Sequence, residues 1–160
     1  MKKQDFTPTR VFGHFSEITP DVLAEYGIKG ILTDLDDTLV THNFPTPSED
    51  VLAWLEMMRG SNIPVCIVSN NRKKRTELFA ENLNVGFFYN SFKPNKHALE
   101  KGCGVMNITP DEAVFIGDQL FTDIKAAKNA GVKSFLVKPL GDKATLFIKL
   151  KRIFEKEVQL

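Results

Sequence analysis

Four short apolar runs, each followed by polar residues, dominate the hydrophobic pattern of the chain. They span residues 30–34, 65–69, 113–117 and 133–137, and each is rich in Ile, Val, Leu or Phe. Such runs are typical of buried strands, and the segments between them have the features of helices. Strands that alternate with helices predict a mainly parallel sheet in a three-layer, Rossmann-like α/β/α fold.

Helices are predicted between these runs at 48–58, 73–83, 96–101 and 122–130. In the first, apolar residues recur at helical spacing, and Gly60 is placed to end it. Gly131 is likewise placed to end the helix predicted at 122–130. A short fifth strand is predicted at 87–89, and residues 109–112 carry a cap residue, a first-turn Pro and two acids, which indicate a helix start.

Length, charge and cysteine usage narrow the class of protein. The 160 residues suit one domain, with a lead-in at 1–27, a core at 28–138 and a C-terminal helix at 143–158. A formal net charge of +1 gives no basic excess for nucleic-acid binding. Cys66 and Cys103 lack metal-ligand spacing, and no secretory signal or membrane-spanning stretch is evident, so a reduced cytoplasmic setting is expected.

Polar residues cluster where the predicted strands end. Asp34 and Asp36 close the first run, Ser69 and Asn70 close the second, and Asp118 follows the run at 113–117, with Asp123 close behind. Ligands of parallel α/β sheets bind beyond the carboxyl ends of the strands. The pattern therefore predicts a site at this edge of the sheet.

Two carboxylates at positions i and i+2 repel each other unless a cation lies between them. Mg²⁺ prefers oxygen ligands and uses one or two carboxylates, so Asp34 and Asp36 favour a magnesium site. Asp118 and Asp123 could complete it. The alternative is that these aspartates cap helices or lie in solvated loops.

Phosphate binding requires positive charge and hydrogen-bond donors. Ser69 offers a hydroxyl at a strand end, followed by the backbone amides of Asn70 and Asn71. Lys93 precedes a proline just past a predicted strand and could act as a point charge. An ordinary Lys-Pro turn is the alternative.

Together these residues resemble the four motifs of haloacid dehalogenase (HAD) superfamily phosphatases. The run Asp34-Leu35-Asp36-Asp37-Thr38 matches their DxDxT signature, Ser69 their second motif, Lys93 their third and residues 117–123 their fourth. The resemblance covers residues 28–138 and implies a single HAD-like hydrolase domain with phosphatase activity. The short segments on either side of Ser69 leave no room for a cap domain, which implies a capless, open site.

The resemblance also implies a role for each residue. Asp34 would attack phosphorus and form an aspartyl phosphate, and Asp36 would protonate the leaving oxygen and then activate water. Thr38 would orient Asp36. The residues implied to contact the phosphorylated substrate are Thr38, Ser69, Asn70 and Lys93. The metal ligands implied for Mg²⁺ are Asp34, the Asp36 carbonyl and Asp118, with Asp123 in support.

Finer features at 18–20, 27–30, 68–71 and 117–120 resemble the YqeG branch of HAD subfamily IIIA. That branch is similar to mitochondrial phosphatidylglycerophosphate phosphatases, which implies a membrane phospholipid as substrate and peripheral membrane contact. A soluble phosphatase of a nucleotide, sugar phosphate or phosphoprotein is the alternative, and a non-catalytic binding module is a third. The sequence does not determine the oligomeric state.

Two segments bear on membrane contact. Apolar residues of 143–158 form one helical stripe, which either covers the sheet or lies on anionic lipid. The N-terminal Phe6, Val11, Phe12 and Phe15 either pack on the domain or face lipid. His42 follows the first motif closely enough to reach a substrate, but a solvated loop histidine is the alternative.

Overall fold

The computed structural model describes residues 6–141 and Arg152. In this part of the chain, six strands form one sheet in the order β1-β6-β5-β2-β3-β4, and every neighbouring pair is parallel. The strands are β1 Arg10–Phe12, β2 Gly30–Thr33, β3 Val65–Val68, β4 Gly86–Phe88, β5 Ala113–Gly117 and β6 Lys133–Val137. The predicted parallel α/β sheet is confirmed, and Asp34 and Ser69 lie one residue beyond their strands.

Five α-helices lie in the same part of the chain. They are α1 Pro20–Glu25, α2 Glu49–Gly60, α3 Lys73–Ala80, α4 His97–Met106 and α5 Lys125–Ala130. Ser48 caps α2 by accepting a hydrogen bond from the Val51 N–H at 3.4 Å. The helix predicted at 122–130 begins as a wide π-type turn at Leu120–Ile124, and it ends at Gly131 with φ 72°.

Helices cover both faces of the sheet. Alternate β2 residues point to opposite sides: Ile31 packs in a cluster with residues of α1, α2 and α3, and Leu32 packs in a cluster with residues of α4 and α5. This period-two alternation, combined with strands buried on both faces, explains why the strands read as continuous apolar runs. The result is the three-layer α/β/α arrangement.

The N-terminal segment packs into this core, which was the alternative to lipid contact for its apolar residues, and it adds a strand that the sequence pattern did not predict. β1 pairs with β6, and Phe12 and Phe15 are buried, the latter in edge-to-face contact with Trp54. The indole Nε1–H of Trp54 donates to the Ile18 carbonyl at 2.9 Å, which ties α2 to this segment. The hypothesis that Phe12 and Phe15 face lipid is therefore wrong.

The chain runs outward from β2 to β3 and β4, then returns to the other side of β2 to form β5 and β6. The carboxyl ends of β2 and β5 therefore flank the point where the strand order reverses, the usual ligand position in such sheets. Between Thr38 and Ser69 lies α2, and between Ser69 and Lys93 lie α3 and β4, so neither segment forms a cap.

Two expectations concern membrane contact. The helix predicted at 143–158 lies outside the described residues, apart from Arg152. Within the described residues, no helix is both long and apolar enough to cross a bilayer.

Candidate active site

Asp34 is fixed at the carboxyl end of the central strand. Its N–H donates to the Ile116 carbonyl of β5 at 2.9 Å, so the sheet ladder extends to the residue itself. Its carboxylate is buried among polar groups from other loops. The backbone therefore presents this side chain at the reversal of strand order.

Lys93 joins two of the predicted acids. Its Nζ donates to Asp34 Oδ1 and to Asp123 Oδ1, each at 2.8 Å, and the side chain is 2% exposed. Burial alone would lower the pKa of Lys93, but the charges of Asp123 and Asp34 outweigh it and raise the pKa above its ordinary value. The lysine is therefore a fixed positive charge beside Asp34.

Asp34, Asp118 and Asp123 form a buried cluster whose carboxylate oxygens lie within 4.8 Å of one another. Burial, followed by the charges of Asp123 and Asp34, raises the pKa of Asp118. Its Oδ2 is buried and has no hydrogen-bond partner among the described residues. An unsatisfied carboxylate oxygen in a set of acids fits a divalent metal ion with oxygen ligands.

The Asp123 carboxylate is held by backbone N–H groups of the loop after β5. The N–H groups of Asp118 and Gln119 each donate to its Oδ2 at 3.2 Å. Burial and the Asp34 charge raise the pKa of Asp123, and they outweigh the lowering effect of the Lys93 ammonium. Gly117 permits this approach, because a Cβ there would lie 2.4 Å from the Asp123 Cβ.

The Asp36 carboxylate lies apart from this acidic cluster and contacts the β3–α3 region. Arg75 donates to its Oδ1 from Nε at 3.2 Å and from Nη2 at 3.0 Å, and Asn71 Nδ2 donates to Oδ2 at 3.0 Å. Sequence reasoning missed both contacts. The strand-end position of Asn71 was a usable signal, but Arg75 lies among other cations of α3 and has none.

Thr38 has different partners from those implied by the resemblance. Its hydroxyl donates to Asp118 Oδ1 at 3.0 Å and approaches Asp34 Oδ2 at 3.5 Å, so it orients these two acids and not Asp36. His42 lies against Asp37, with Nδ1 3.2 Å from its Oδ1, and its side chain is 65% exposed. The structure therefore places His42 in a solvated loop.

The second-motif residues lie at the end of β3. Ser69 is buried, and its Oγ accepts a hydrogen bond from the Asn71 N–H at 2.9 Å. The Asn70 side chain clamps the Lys93 backbone: its Oδ1 accepts from the Lys93 N–H at 2.7 Å, and its Nδ2 donates to the Lys93 carbonyl at 3.2 Å. Asn70 thereby fixes the loop that carries the lysine.

These groups surround a surface cavity of about 390 Å³. Its lining residues are Asp34, Asp36, Asp37, Ser69, Asn70, Asn71, Arg72, Lys93, Gln119, Thr122 and Asp123. The structure thus brings six predicted site residues from four loops to one opening, while Thr38 and Asp118 are not among its lining residues. Such a cavity, with fixed acids, a buried cation and hydroxyl and amide donors, can hold a metal-bound phosphoryl group.

Comparisons with known proteins agree with this chemistry. A family model described as HAD-hydrolase-like matches residues 92–143. The chain is 35% identical over 158 residues to the protein named "Probable phosphatase YqeG" of Bacillus subtilis (strain 168), and the match covers 99% of this chain and 92% of that protein.

Solved structures share the fold. The cobalt-bound deoxy-D-mannose-octulosonate 8-phosphate phosphatase YrbI of Haemophilus influenzae has a TM-score of 0.60 at 18% identity, over 78% of this chain and 74% of that one. The 3-deoxy-D-manno-octulosonate 8-phosphate phosphatase of Yersinia pestis has a TM-score of 0.55 at 19% identity, over 75% and 69%.

Proposed function

Because the chain belongs to the YqeG-type phosphatases of the HAD superfamily, we propose that it hydrolyses phosphomonoesters with Mg²⁺ through an aspartyl phosphate on Asp34. The observation that carries this proposal is the convergence of Asp34, Asp118 and Asp123 beside the Lys93 ammonium. Phosphoryl transfer depends on positioning and on neutralising negative charge, and this group of residues can do both.

The proposed steps use the residues at the cavity. An Asp34 carboxylate oxygen attacks phosphorus, the bond to the leaving oxygen breaks, and Asp36 supplies the proton to that oxygen. Asp36 then takes a proton from the water that hydrolyses the aspartyl phosphate. Held by Asp34, the Asp36 carbonyl and Asp118, with Asp123 in support, Mg²⁺ would neutralise charge on the phosphoryl oxygens.

The phosphoryl group also needs donors from the protein. Lys93 keeps its charge in the buried site and lies 2.8 Å from Asp34, so it can shield the nucleophile and bind a phosphoryl oxygen. Ser69 and Asn70 are proposed to contact the same group, and the Thr38 hydroxyl holds the acids in place.

Asp34→Asn tests the nucleophile. We expect hydrolysis of p-nitrophenyl phosphate to fall on the order of a thousandfold or more, since an amide cannot replace the attacking carboxylate. Asp111→Asn, at an exposed acid of the opposite sheet edge, is the matched control and should retain activity. Near-normal turnover by folded Asp34→Asn would refute the assignment.

Metal removal is a separate test. EDTA should abolish hydrolysis of p-nitrophenyl phosphate, and added Mg²⁺ should restore it.

For the substrate, we propose phosphatidylglycerophosphate, supported by the family resemblance and by the missing cap between Thr38 and Lys93. Nucleotides, sugar phosphates and phosphoproteins are the competing class. A screen of both classes, with the lipid in micelles, decides between them: higher kcat/KM on soluble esters than on the lipid would reject phosphatidylglycerophosphate.

The cysteines support a cytoplasmic location as part of the same proposal. Cys66 and Cys103 are both free and buried. Burial, with a smaller contribution from Cys103, raises the pKa of Cys66 to about 12, so this thiol stays protonated. Buried free thiols are typical of proteins in reducing compartments.

A further inference from the structure

Three exposed phenylalanines lie in the connections that follow strands β2, β4 and β5, at the same end of the sheet as the cavity. In the described part of the chain, the large apolar side chains that are more than half exposed are Phe44 (60%), Phe92 (78%), Val105 (67%) and Phe121 (68%). Each phenylalanine follows a strand at the carboxyl end of the sheet: Phe44 lies between β2 and α2, Phe92 directly before Lys93, and Phe121 in the π-type turn, two residues before Asp123. Exposed apolar side chains that are concentrated at the end of the sheet that carries the cavity indicate a binding partner that covers them.

A run of cations lies at the same edge. Arg72, Lys73 and Lys74 are exposed and form the N-cap and first turn of α3, and Arg72 lines the cavity. Cations are unfavourable at a helix N-terminus, and this one has neither an acid in its first turn nor a side-chain cap. The charge therefore lowers helix stability, which is consistent with a role in binding an anionic partner.

From these two observations we propose that the rim formed by Phe44, Phe92, Phe121, Arg72, Lys73 and Lys74 docks on the surface of an anionic phospholipid bilayer. Apolar rings that enter the acyl boundary beside cations that meet headgroup phosphates are the two components of interfacial binding. The inference rests on the proposed function and adds the surface through which a bilayer would present a phosphomonoester headgroup to the cavity.

The arrangement of the rim favours a bilayer over a protein partner. The rings come from three separate connections at the carboxyl end of the sheet, whereas the centre of a protein interface is a packed apolar core. The acids Glu49 and Asp50 begin α2 at the same edge, so the positive charge is concentrated on the side of α3. A fluid, anionic surface can accept separate rings and an uneven charge without a matching shape.

The test compares rim variants with variants at the opposite edge, all in the full chain. The first rim variant combines Phe44→Ser, Phe92→Asn and Phe121→Ser; asparagine is chosen because Phe92 has φ 53°, a region that it tolerates. The second combines Lys73→Gln and Lys74→Gln. The controls are Val105→Ser, whose side chain borders Gly86 at the amino end of β4, and Lys29→Gln with Arg59→Gln.

The binding readout is co-sedimentation with vesicles of phosphatidylcholine and phosphatidylglycerol, with pure phosphatidylcholine for comparison. Wild type and controls should bind the anionic vesicles more tightly. Each lost cation should weaken binding about fivefold and each lost ring about tenfold. Circular dichroism checks folding, and single phenylalanine variants replace the triple variant if it is unfolded.

Hydrolysis of p-nitrophenyl phosphate in the same preparations separates the two proposals. Rim variants that lose vesicle binding but keep this activity support the docking surface. The docking proposal is wrong if wild type hydrolyses the ester but does not bind anionic vesicles, or if rim and control variants bind these vesicles equally well. The proposed phosphatase activity is unaffected by either result. If wild type binds vesicles through the rim but shows no Mg²⁺-dependent hydrolysis, the proposed function fails.

Discussion

Asp36 accepts three hydrogen bonds from Arg75 and Asn71, so its carboxylate has a defined orientation. Arg75 is largely enclosed, and its Nη1 is buried without a hydrogen-bond partner among the described residues. The Arg75 guanidinium fork, which projects from α3, thus fixes the position of Asp36, the proposed general acid and base. Small displacements of such a group reduce the rate of proton transfer.

Arg75→Met should lower kcat by about tenfold to a hundredfold with little change in KM, because Asp36 loses its main anchor while the phosphoryl-binding groups remain. Arg75→Lys, which keeps one charge but not the fork, should recover part of the loss. Arg59→Met, on an exposed arginine of α2, is the matched control. Unchanged kcat in folded Arg75→Met would show that the contact does not position Asp36.

The Asp118 carboxyl should make stability depend on pH. The Asp118 carboxyl has an ordinary pKa of 3.8, and burial and neighbouring charges raise its pKa to about 8 in the folded protein. Between these values the folded state binds a proton that the unfolded chain has released. The free energy of unfolding of metal-free protein should therefore fall as pH rises, by at most about 1.4 kcal/mol per pH unit.

Asp118 is a proposed ligand of Mg²⁺ and can hold either the metal or that proton, so the stabilising effect of Mg²⁺ should grow over the same pH range. Thermal unfolding with EDTA and with Mg²⁺ at several pH values measures both effects. Asp118→Asn should remove most of the Mg²⁺ effect and flatten the pH dependence. An Mg²⁺-induced shift that is the same at every pH would contradict the assignment.

At the scale of elements, β1 and the turn after it complete one face of the core. Phe15 is 1% exposed and packs edge-to-face on Trp54 of α2, with ring centroids 5.4 Å apart. These contacts belong to the cluster on the sheet face that α1, α2 and α3 cover. The N-terminal segment therefore stabilises the fold through core packing.

Phe15→Ala should lower the free energy of unfolding by about 3–5 kcal/mol, since it leaves a cavity in a packed aromatic cluster. Phe44→Ala, at an exposed ring, should change it by no more than about 0.5 kcal/mol. Urea unfolding of both variants measures the difference. Equal effects would mean that the N-terminal segment does not pack as described.

For the whole molecule, access to the site follows from the short connections around Ser69. With no cap between Thr38 and Lys93, the described part of the chain has few groups to enclose a small substrate. We expect low kcat/KM on small phosphomonoesters, differing by less than about tenfold among them, because remote binding energy is missing. Bulky or bilayer-held esters should be hydrolysed faster, and a soluble ester cleaved with high selectivity would contradict this.

Much of the site was predictable because its residues follow apolar strands along the chain. The strand at 30–34 placed Asp34 and Asp36 at a carboxyl end, and the strand at 113–117 did the same for Asp118. Helix α2 was predictable from its apolar spacing and its Ser48 cap. These features are local, so periodicity and boundary residues are enough to predict them.

Other features depend on partners distant in sequence. β1 has only three residues and exists because β6 pairs with it, so its own pattern did not identify a strand. Likewise, the wide turn at Leu120–Ile124 shortened α5 where Asp123 folds back onto the Asp118 loop. Pairing and loop packing are decided by the surrounding structure and not by intrinsic preference.

The sequence alone thus determined the strand-end chemistry: which acids, hydroxyls and lysine follow buried strands of a parallel sheet. Only the tertiary structure decided their partners, since Thr38 meets Asp118 across 80 residues of chain and Asp36 meets Arg75 across 39. It also decided that Phe12 and Phe15 are buried while Phe44, Phe92 and Phe121 are exposed. All five are the same residue type, so burial depends on whether packed elements cover the ring, which composition and spacing do not encode.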